Sequence, residues 1–314
     1  MNMIEPGMTV MVTGATGFVG GAVAQALCAA GYKVIAVVRS PRRAAHLPAG
    51  QTMTLIGDML RPETYQPMVE QADAVVHAAQ LRVPGRMTRA RLARLDAAEE
   101  TMTTALVTAC TRYGRRLVYT SGCFGYGDHG DEWITEETPL SPSPLGVGHA
   151  RQVELLRALR GGGPDSVVLH LGFVYGPGGN FASAFHAQAR AGRLRCIGGG
   201  ANHWSCVHVD DVAAAYVAAL ERAPAGAEYN IVDDAPVTLR NLVDGVTGAM
   251  DLPRAGNVPA TLAKAIIGRP AVRSLVTSYR VRNAKAREEL EWTPRFPTVD
   301  AGLPSVIADL GKTT

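Results

Sequence analysis

Thr9-Val10-Met11-Val12-Thr13, running into Gly14-Ala15-Thr16-Gly17-Phe18-Val19-Gly20, decides the fold of this chain. The first five residues are an apolar, β-branched run of the kind buried inside a parallel sheet. The glycines that follow have separate tasks. Gly14 permits a tight turn, Gly17 lets the backbone approach a pyrophosphate, and Gly20 lets the next helix pack close to the sheet. That helix is expected over 18–30, ended by Gly31. Its N-terminus offers unpaired N–H groups and a partial positive charge to phosphates. A second strand at 33–38 follows at once, so the glycines stand in the strand–turn–helix–strand setting that gives them meaning. The ligand implied is a dinucleotide, NAD or NADP.

Working outward, further strands are expected at 52–56, 74–77, 116–119 and 166–171, with alanine-rich helices between them, notably 89–113. Strands alternating with helices imply an α/β fold: a doubly wound parallel sheet of Rossmann type. After about residue 172 the texture changes to short elements cut by Gly and Pro, as in Gly176-Pro177-Gly178-Gly179. One more helix is expected over 211–222, capped by Asp210 or Asp211, and Thr238 is expected to cap another. The organisation read from this is a dinucleotide-binding unit, 1–171 with about 206–222. A smaller substrate lobe takes about 172–205 and 223–314.

Composition narrows the function classes. In 314 residues the net charge is +3, too small to argue for nucleic acid or an anionic membrane as partner. The five cysteines are scattered with no Cys-x-x-Cys pair, which argues against a disulfide framework or a zinc site. No stretch reaches membrane-spanning length and the N-terminus shows no secretory pattern, so a cytoplasmic protein is expected. The second strand ends at Val38 and is followed by Arg39, with Arg42 and Arg43 beyond. An acid there would bind the ribose 2′-hydroxyl of NAD; an arginine suits the 2′-phosphate of NADP. NADP is therefore the expected cofactor, with NAD the alternative.

The chain resembles the extended short-chain dehydrogenase/reductase family of nucleotide-sugar epimerases, dehydratases and dihydroflavonol-reductase-like enzymes. The resemblance runs from about residue 8 to about 300. It is carried by the Thr13–Gly20 segment, Gly57-Asp58, His77-Ala78-Ala79, Val118-Tyr119-Thr120-Ser121, Tyr126-Gly127, Val174-Tyr175-Gly176-Pro177-Gly178, His208-Val209-Asp210-Asp211, Tyr229-Asn230-Ile231 and Trp292-x-Pro294. It implies that Gly14, Thr16, Gly17, Phe18, Val19 and Gly20 hold the pyrophosphate. Asp58 and Met59 would face the adenine, and Arg39 its ribose. His77, Ala78, Ala79, Thr120, Ser121 and Phe173 would line the rest of the cofactor site. It also implies a homodimer through the long helix from Arg89.

The chemistry departs from the family. Its members use Ser or Thr with Tyr-x-x-x-Lys, where the phenol moves the proton and the lysine lowers the phenol pKa and holds the ribose. Here the Ser/Thr position falls on Gly122, beside Ser121. The Tyr and Lys positions fall on Leu145 and His149. The chain has four lysines, and none lies between Lys33 and Lys264. Nucleotide-sugar members often carry Asn where this chain has Phe173. With Leu145, and Trp204 nearby, the pocket is expected to be more apolar than a sugar-nucleotide site.

A proton donor must come from other residues. His149 titrates in the right range; Ser121 can bond a substrate oxygen; Tyr126 can replace the missing phenol. No metal is expected, since His203 and His208 lack further ligands at suitable spacing. Arg82 and Arg86 either reach the pocket or belong to a solvated helix face. The leading expectation is an NADP-dependent reductase or dehydrogenase of a small, rather apolar carbonyl or hydroxyl compound. The alternatives are an epimerase, dehydratase or other non-redox lyase or isomerase, and an NADP-binding redox sensor without turnover.

Overall fold

The computed structural model describes residues 4–44 and 47–312, the side chains of Pro41 and Arg43 excepted. Among the described residues one sheet contains β1 (Thr9–Thr13), β2 (Lys33–Val38), β3 (Thr52–Ile56), β4 (Ala74–His77), β5 (Arg116–Gly122), β6 (Ser166–Leu171) and β7 (Glu228–Ile231). The order is β7-β6-β5-β4-β1-β2-β3, every neighbouring pair parallel. The principal helices are α1 (Phe18–Ala29), α2 (Arg89–Tyr113), α3 (Val147–Ala158), α4 (Val209–Arg222), α5 (Leu239–Ala249), α6 (Ala260–Ile267) and α7 (Arg269–Leu275). This is the doubly wound Rossmann-type sheet expected from the alternation of strands and helices.

Both faces of the sheet are covered, which is why β1 reads as a continuous apolar run. Val10, Met11 and Val12 have no exposed surface. Val10 and Val12 join a core with α1 and α4 residues such as Val23 and Val212; Met11 joins another with Leu106 and Cys110 of α2. Burying one such side chain contributes roughly 1.5–3 kcal/mol. A third apolar cluster, around Phe181, Trp204, Leu242 and Tyr279, lies outside the sheet proper.

Strand order reverses between β1 and β4, and in open α/β sheets ligands bind in the crevice at such a switch point. The strand ends there are Thr13 and His77, paired directly across the two strands. The glycine turn therefore opens into the crevice.

Two local expectations are corrected. The sheet has a seventh strand, Glu228–Ile231, inside the stretch assigned from sequence to the second lobe. Its four residues are too short to announce themselves without a partner, and pairing with β6 is what defines them. The cap of α4 is His208, whose Nδ1 accepts the Asp210 N–H at 3.2 Å, and the helix begins at Val209. Asp211 is instead buried against the chain end, where its carboxylate accepts the N–H groups of Arg295 at 2.7 Å and Phe296 at 3.0 Å. The Trp292 indole N–H reaches the Asp211 carbonyl at 3.0 Å, so the Trp292-x-Pro294 segment is tied to α4. Thr238 caps α5 by accepting the Asn241 N–H.

Candidate functional site

Gly14 adopts φ +70°, and a Cβ there would sit 2.7 Å from the Ala78 carbonyl oxygen. A Cβ on Gly20 would strike the Gly14 carbonyl, and one on Gly17 would lie 3.0 Å from the same oxygen. The turn closes through the Gly17 N–H, which donates to Gly14 O at 2.7 Å. Gly17, exposed and extended at φ −88°, stands at the head of α1, which has no side-chain cap and no acid in its first turn. An uncapped helix start beside bare glycine backbone is complementary to a diphosphate. The residues present thus fit a dinucleotide.

Phe18 does not turn its ring to this crevice edge freely. Cβ atoms on Gly178 and Gly179 would come within 2.6 and 2.5 Å of ring atoms, and one on Gly176 within 2.9 Å. The Gly-Pro-Gly-Gly segment is thus a cradle for the first side chain of α1. Thr16 and Val19 are half-buried beside it.

The rims are set by the neighbouring strand ends. Arg39 is exposed directly after β2. Asp58 makes a short turn after β3, its Oδ1 accepting the Leu60 N–H at 3.1 Å and its own N–H donating to Thr64 Oγ1 at 3.0 Å. Met59 is half-buried against the Tyr65 cluster. After β4, Ala78 and Ala79 are half-buried, and the Ala79 N–H donates to Thr13 Oγ1 at 3.3 Å. The His77 ring is buried, with Nδ1 2.8 Å from Thr13 Oγ1. Thr120 donates to the His77 carbonyl at 2.6 Å and also meets the Tyr216 hydroxyl. These bonds stitch β1, β4 and β5 together at the crevice.

The three proposed proton carriers have different surroundings. Ser121 is 4% exposed at the end of β5 and its Oγ has no hydrogen-bond partner among the described residues. Tyr126 is fully buried, with its hydroxyl donated to Asn230 Oδ1 at 2.7 Å and its ring 5.2 Å from that of His170. Burial holds its phenol well above the usual range. His149 lies in the first turns of α3 with its side chain 18% exposed. Its Nδ1 is 2.9 Å from Tyr119 Oη and 3.4 Å from Glu99 Oε1; its Nε2 is 3.1 Å from Gln80 Nε2.

Glu99, Tyr119 and Gln80 were not singled out from the sequence. Tyr119 donates to Glu99 Oε1 at 2.7 Å, and His77 Nε2 stands 4.0 Å from the same oxygen. A signal did exist for Glu99: it shares the inward face of α2 with Met102, Leu106 and Cys110, at helical spacing, where an acid is out of place. Burial pushes the Glu99 carboxyl up, but His149, Tyr119 and His77 outweigh it and hold it at about 2. Burial alone would lower His149, and the Glu99 carboxylate overturns this to raise it above the ordinary imidazole value. His77 is lowered, because burial dominates the weaker pull of Glu99.

A helical pair, α6 and α7, packs on the turn before α3 and reaches the loop after β4. The Leu145 N–H donates to Ser274 Oγ at 3.0 Å, and the Met87 N–H to the Ile267 carbonyl at 2.8 Å. The turn before α3 and the loop after β4 are thereby held by one cap. Arg82 is exposed, and Arg86 Nη2 reaches the Lys264 carbonyl at 3.5 Å. Phe173 is half-buried, its ring 5.1 Å from Trp204 and 5.2 Å from Phe185. Trp204 itself is buried in that aromatic cluster.

Fold and turn define a nucleotide-cofactor protein of the Rossmann class. Residues 10–232 match the NAD dependent epimerase/dehydratase family, and the chain belongs to it. A 3-diazoavenalumate denitrifying reductase from a Streptomyces species is 32% identical over 314 residues, covering 94% of this chain and 99% of the relative. A 2-alkyl-3-oxoalkanoate reductase from Stenotrophomonas maltophilia is 29% identical, covering 79% of this chain and 77% of the relative. Among solved structures, dTDP-glucose 4,6-dehydratase from Streptomyces venezuelae with NAD bound superposes with a TM-score of 0.83 at 22% identity, covering 97% of each chain. A human epimerase family protein with NADPH gives 0.80 at 22% identity, covering 96% of this chain and 99% of that one. These two share the fold. No described helix is long and apolar enough to cross a membrane.

Proposed function

We propose that this protein is an NADP-dependent reductase of a small, rather apolar electrophile, with His149 and Ser121 meeting the substrate. The observation that carries the reading is His149. By the family pattern it falls at the lysine position, and its ring lies beside Tyr119 of β5, with one nitrogen committed inward and the other directed to exposed Gln80. The backbone of Gly14–Gly20 would hold the pyrophosphate, Arg39 the 2′-phosphate, and Asp58 with Met59 the adenine end. Ala78, Ala79, Thr120, Ser121 and Phe173 would border the nicotinamide end. When bound, the nicotinamide supplies or takes hydride.

The protein's own part is orientation and proton supply. Ser121 Oγ, buried and without a hydrogen-bond partner among the described residues, would bond a substrate oxygen in this reading. Charged His149 carries a proton on Nε2 and can give it up while Nδ1–H stays bonded to Tyr119 or Glu99. A positioned acid of this kind typically contributes about 10²- to 10⁴-fold. Tyr126, with its hydroxyl given to Asn230, takes no proton role in this reading.

The test is NADPH oxidation over a carbonyl panel, with His149→Phe, which keeps a ring and removes both nitrogens. Loss of turnover with cofactor affinity retained supports a proton role; loss of both makes His149 a ribose contact. Unchanged turnover sinks the assignment. Cofactor that stays bound and unchanged through turnover favours the epimerase or dehydratase alternative. Tight binding without turnover favours the sensor.

Leu145 favours a second reading. The family's phenol position is Leu145, so in this reading an alkoxide depends on His149 alone for its proton, whereas reduction at a diazo nitrogen develops no alkoxide. The relative named as a 3-diazoavenalumate denitrifying reductase supports adding aryl diazo compounds to the panel. Nitrogen release coupled to NADPH oxidation, with carbonyls untouched, would select this reading.

A further inference from the structure

The Glu99 side chain, on α2, is 9% exposed, yet it carries a carboxylate. A buried carboxylate persists only where partners replace the water it has lost. Three polar atoms from three other elements converge on its Oε1: Tyr119 Oη from β5, His149 Nδ1 from α3 and His77 Nε2 from β4. We propose that Glu99 is a positioning residue that keeps His149 a cation in the resting site, with Nε2 turned outward, at the position that the family pattern gives to lysine. The proposal rests on the reading that His149 belongs to the active site.

Geometry separates the two histidines near the carboxylate. The His77 ring is 1% exposed, its Nδ1 is taken by Thr13, and its Nε2 has no hydrogen-bond partner among the described residues. Glu99 Oε1, at 4.0 Å, lies beyond hydrogen-bond reach, and its pull is outweighed by burial. His149 stands closer to Glu99 and keeps an edge toward Gln80 and the crevice. When the ring is charged both nitrogens donate, and the Gln80 amide meets Nε2–H with its oxygen after a half-turn.

The other charged or titratable groups around the pair agree with this assignment. Asp96 of α2 accepts the Gly148 N–H at the start of α3 and adds a second negative charge facing His149. Arg151 of α3 faces Asp96. Tyr119 stays neutral, held well above the usual phenol range by burial and by Glu99, with Tyr216 of α4 behind it. His170 of β6 is paired with Glu228 and is pushed down by burial. A charged His149 is thus the cation best supported inside this cluster.

The experiment is an NMR titration of the histidine rings in the ligand-free protein, in wild type, Glu99→Gln and Glu99→Asp. Calorimetric NADP(H) affinity is measured across the same pH range. In wild type His149 is expected to titrate above the ordinary value of about 6.5. Glu99→Gln should drop it below that value, and Glu99→Asp should lie between. The pH at which cofactor affinity falls should move down with the ring in Glu99→Gln. His149 titrating at the same pH in wild type and in Glu99→Gln overturns the proposal. Should the Gln variant fail to fold, an Asp variant with an unshifted His149 does the same. Failure of the underlying reading looks different: His149→Phe would then keep both turnover and cofactor affinity, whatever the ring titration shows.

Discussion

His149 Nδ1 lies 3.4 Å from Glu99 Oε1, an ion pair between two helices that closes over the ends of β4 and β5. Its pH dependence follows from the direction of each shift. Glu99 is depressed to about 2 from 4.5, so its contribution is full above about 4.5 and is lost as pH falls toward 2. That contribution is on the order of 3 kcal/mol. His149 is raised, so its share is full below its unfolded pKa and is lost as pH rises through the folded one. The stability gap between wild type and Glu99→Gln should be widest in the weakly acidic range and narrow on either side. Urea unfolding across pH measures it; a flat gap contradicts the pairing.

Asp233 behaves oppositely. It is 1% exposed, Oδ2 has no hydrogen-bond partner among the described residues, and burial pushes the carboxyl up to about 8, with Asp234 and Asp211 adding and the Ala235 N–H opposing. A raised acid favours folding below its unfolded pKa, and that advantage is lost as pH rises through the folded value. Asp233→Asn does not titrate, so its stability relative to wild type should climb between about pH 4 and pH 8, by about 1.4 kcal/mol per pH unit. An unchanging difference over that range would show that the carboxyl is ionised or solvated in the folded protein.

Gly17 and Gly20 should respond differently to substitution. Gly17 is exposed at the mouth of the turn, so Gly17→Val should leave a folded protein that no longer binds dinucleotide. Gly20 is packed against the Gly14 carbonyl, so Gly20→Ala should cost about 1–3 kcal/mol of stability from backbone displacement. Thermal unfolding and calorimetry on both variants separate the roles. Retained affinity in folded Gly17→Val would remove the pyrophosphate from this turn.

Arg39 bears on cofactor choice. A charge-assisted hydrogen bond is worth about 1.5–3 kcal/mol, so Arg39→Ala should weaken NADP roughly tenfold or more and spare NAD. Equal losses for both cofactors, or none, would show that the arginine does not read the 2′-phosphate.

The sequence by itself determined the features that rest on short-range geometry. A five-residue apolar run, a glycine spacing and a helical period each constrain neighbouring backbone, so β1, the turn and α1 were legible at once. The lack of lysine from 34 to 263 likewise excluded the family's usual tetrad with no structure needed. Tertiary structure decided everything that depends on which side chains meet. The strand Glu228–Ile231 exists as a sheet member because β6 pairs with it. Phe18 is enclosed by glycines from a distant loop, and His208 takes the cap expected of Asp210 or Asp211. Tyr126, a plausible phenol in the sequence, is drawn into the core by Asn230. Glu99 meets His149 only because α2 and α3 pack side by side over β5, and no local pattern encodes that contact. Backbone conformation is set by adjacent residues, whereas the charge of a buried ring is set by whatever the folded chain places against it.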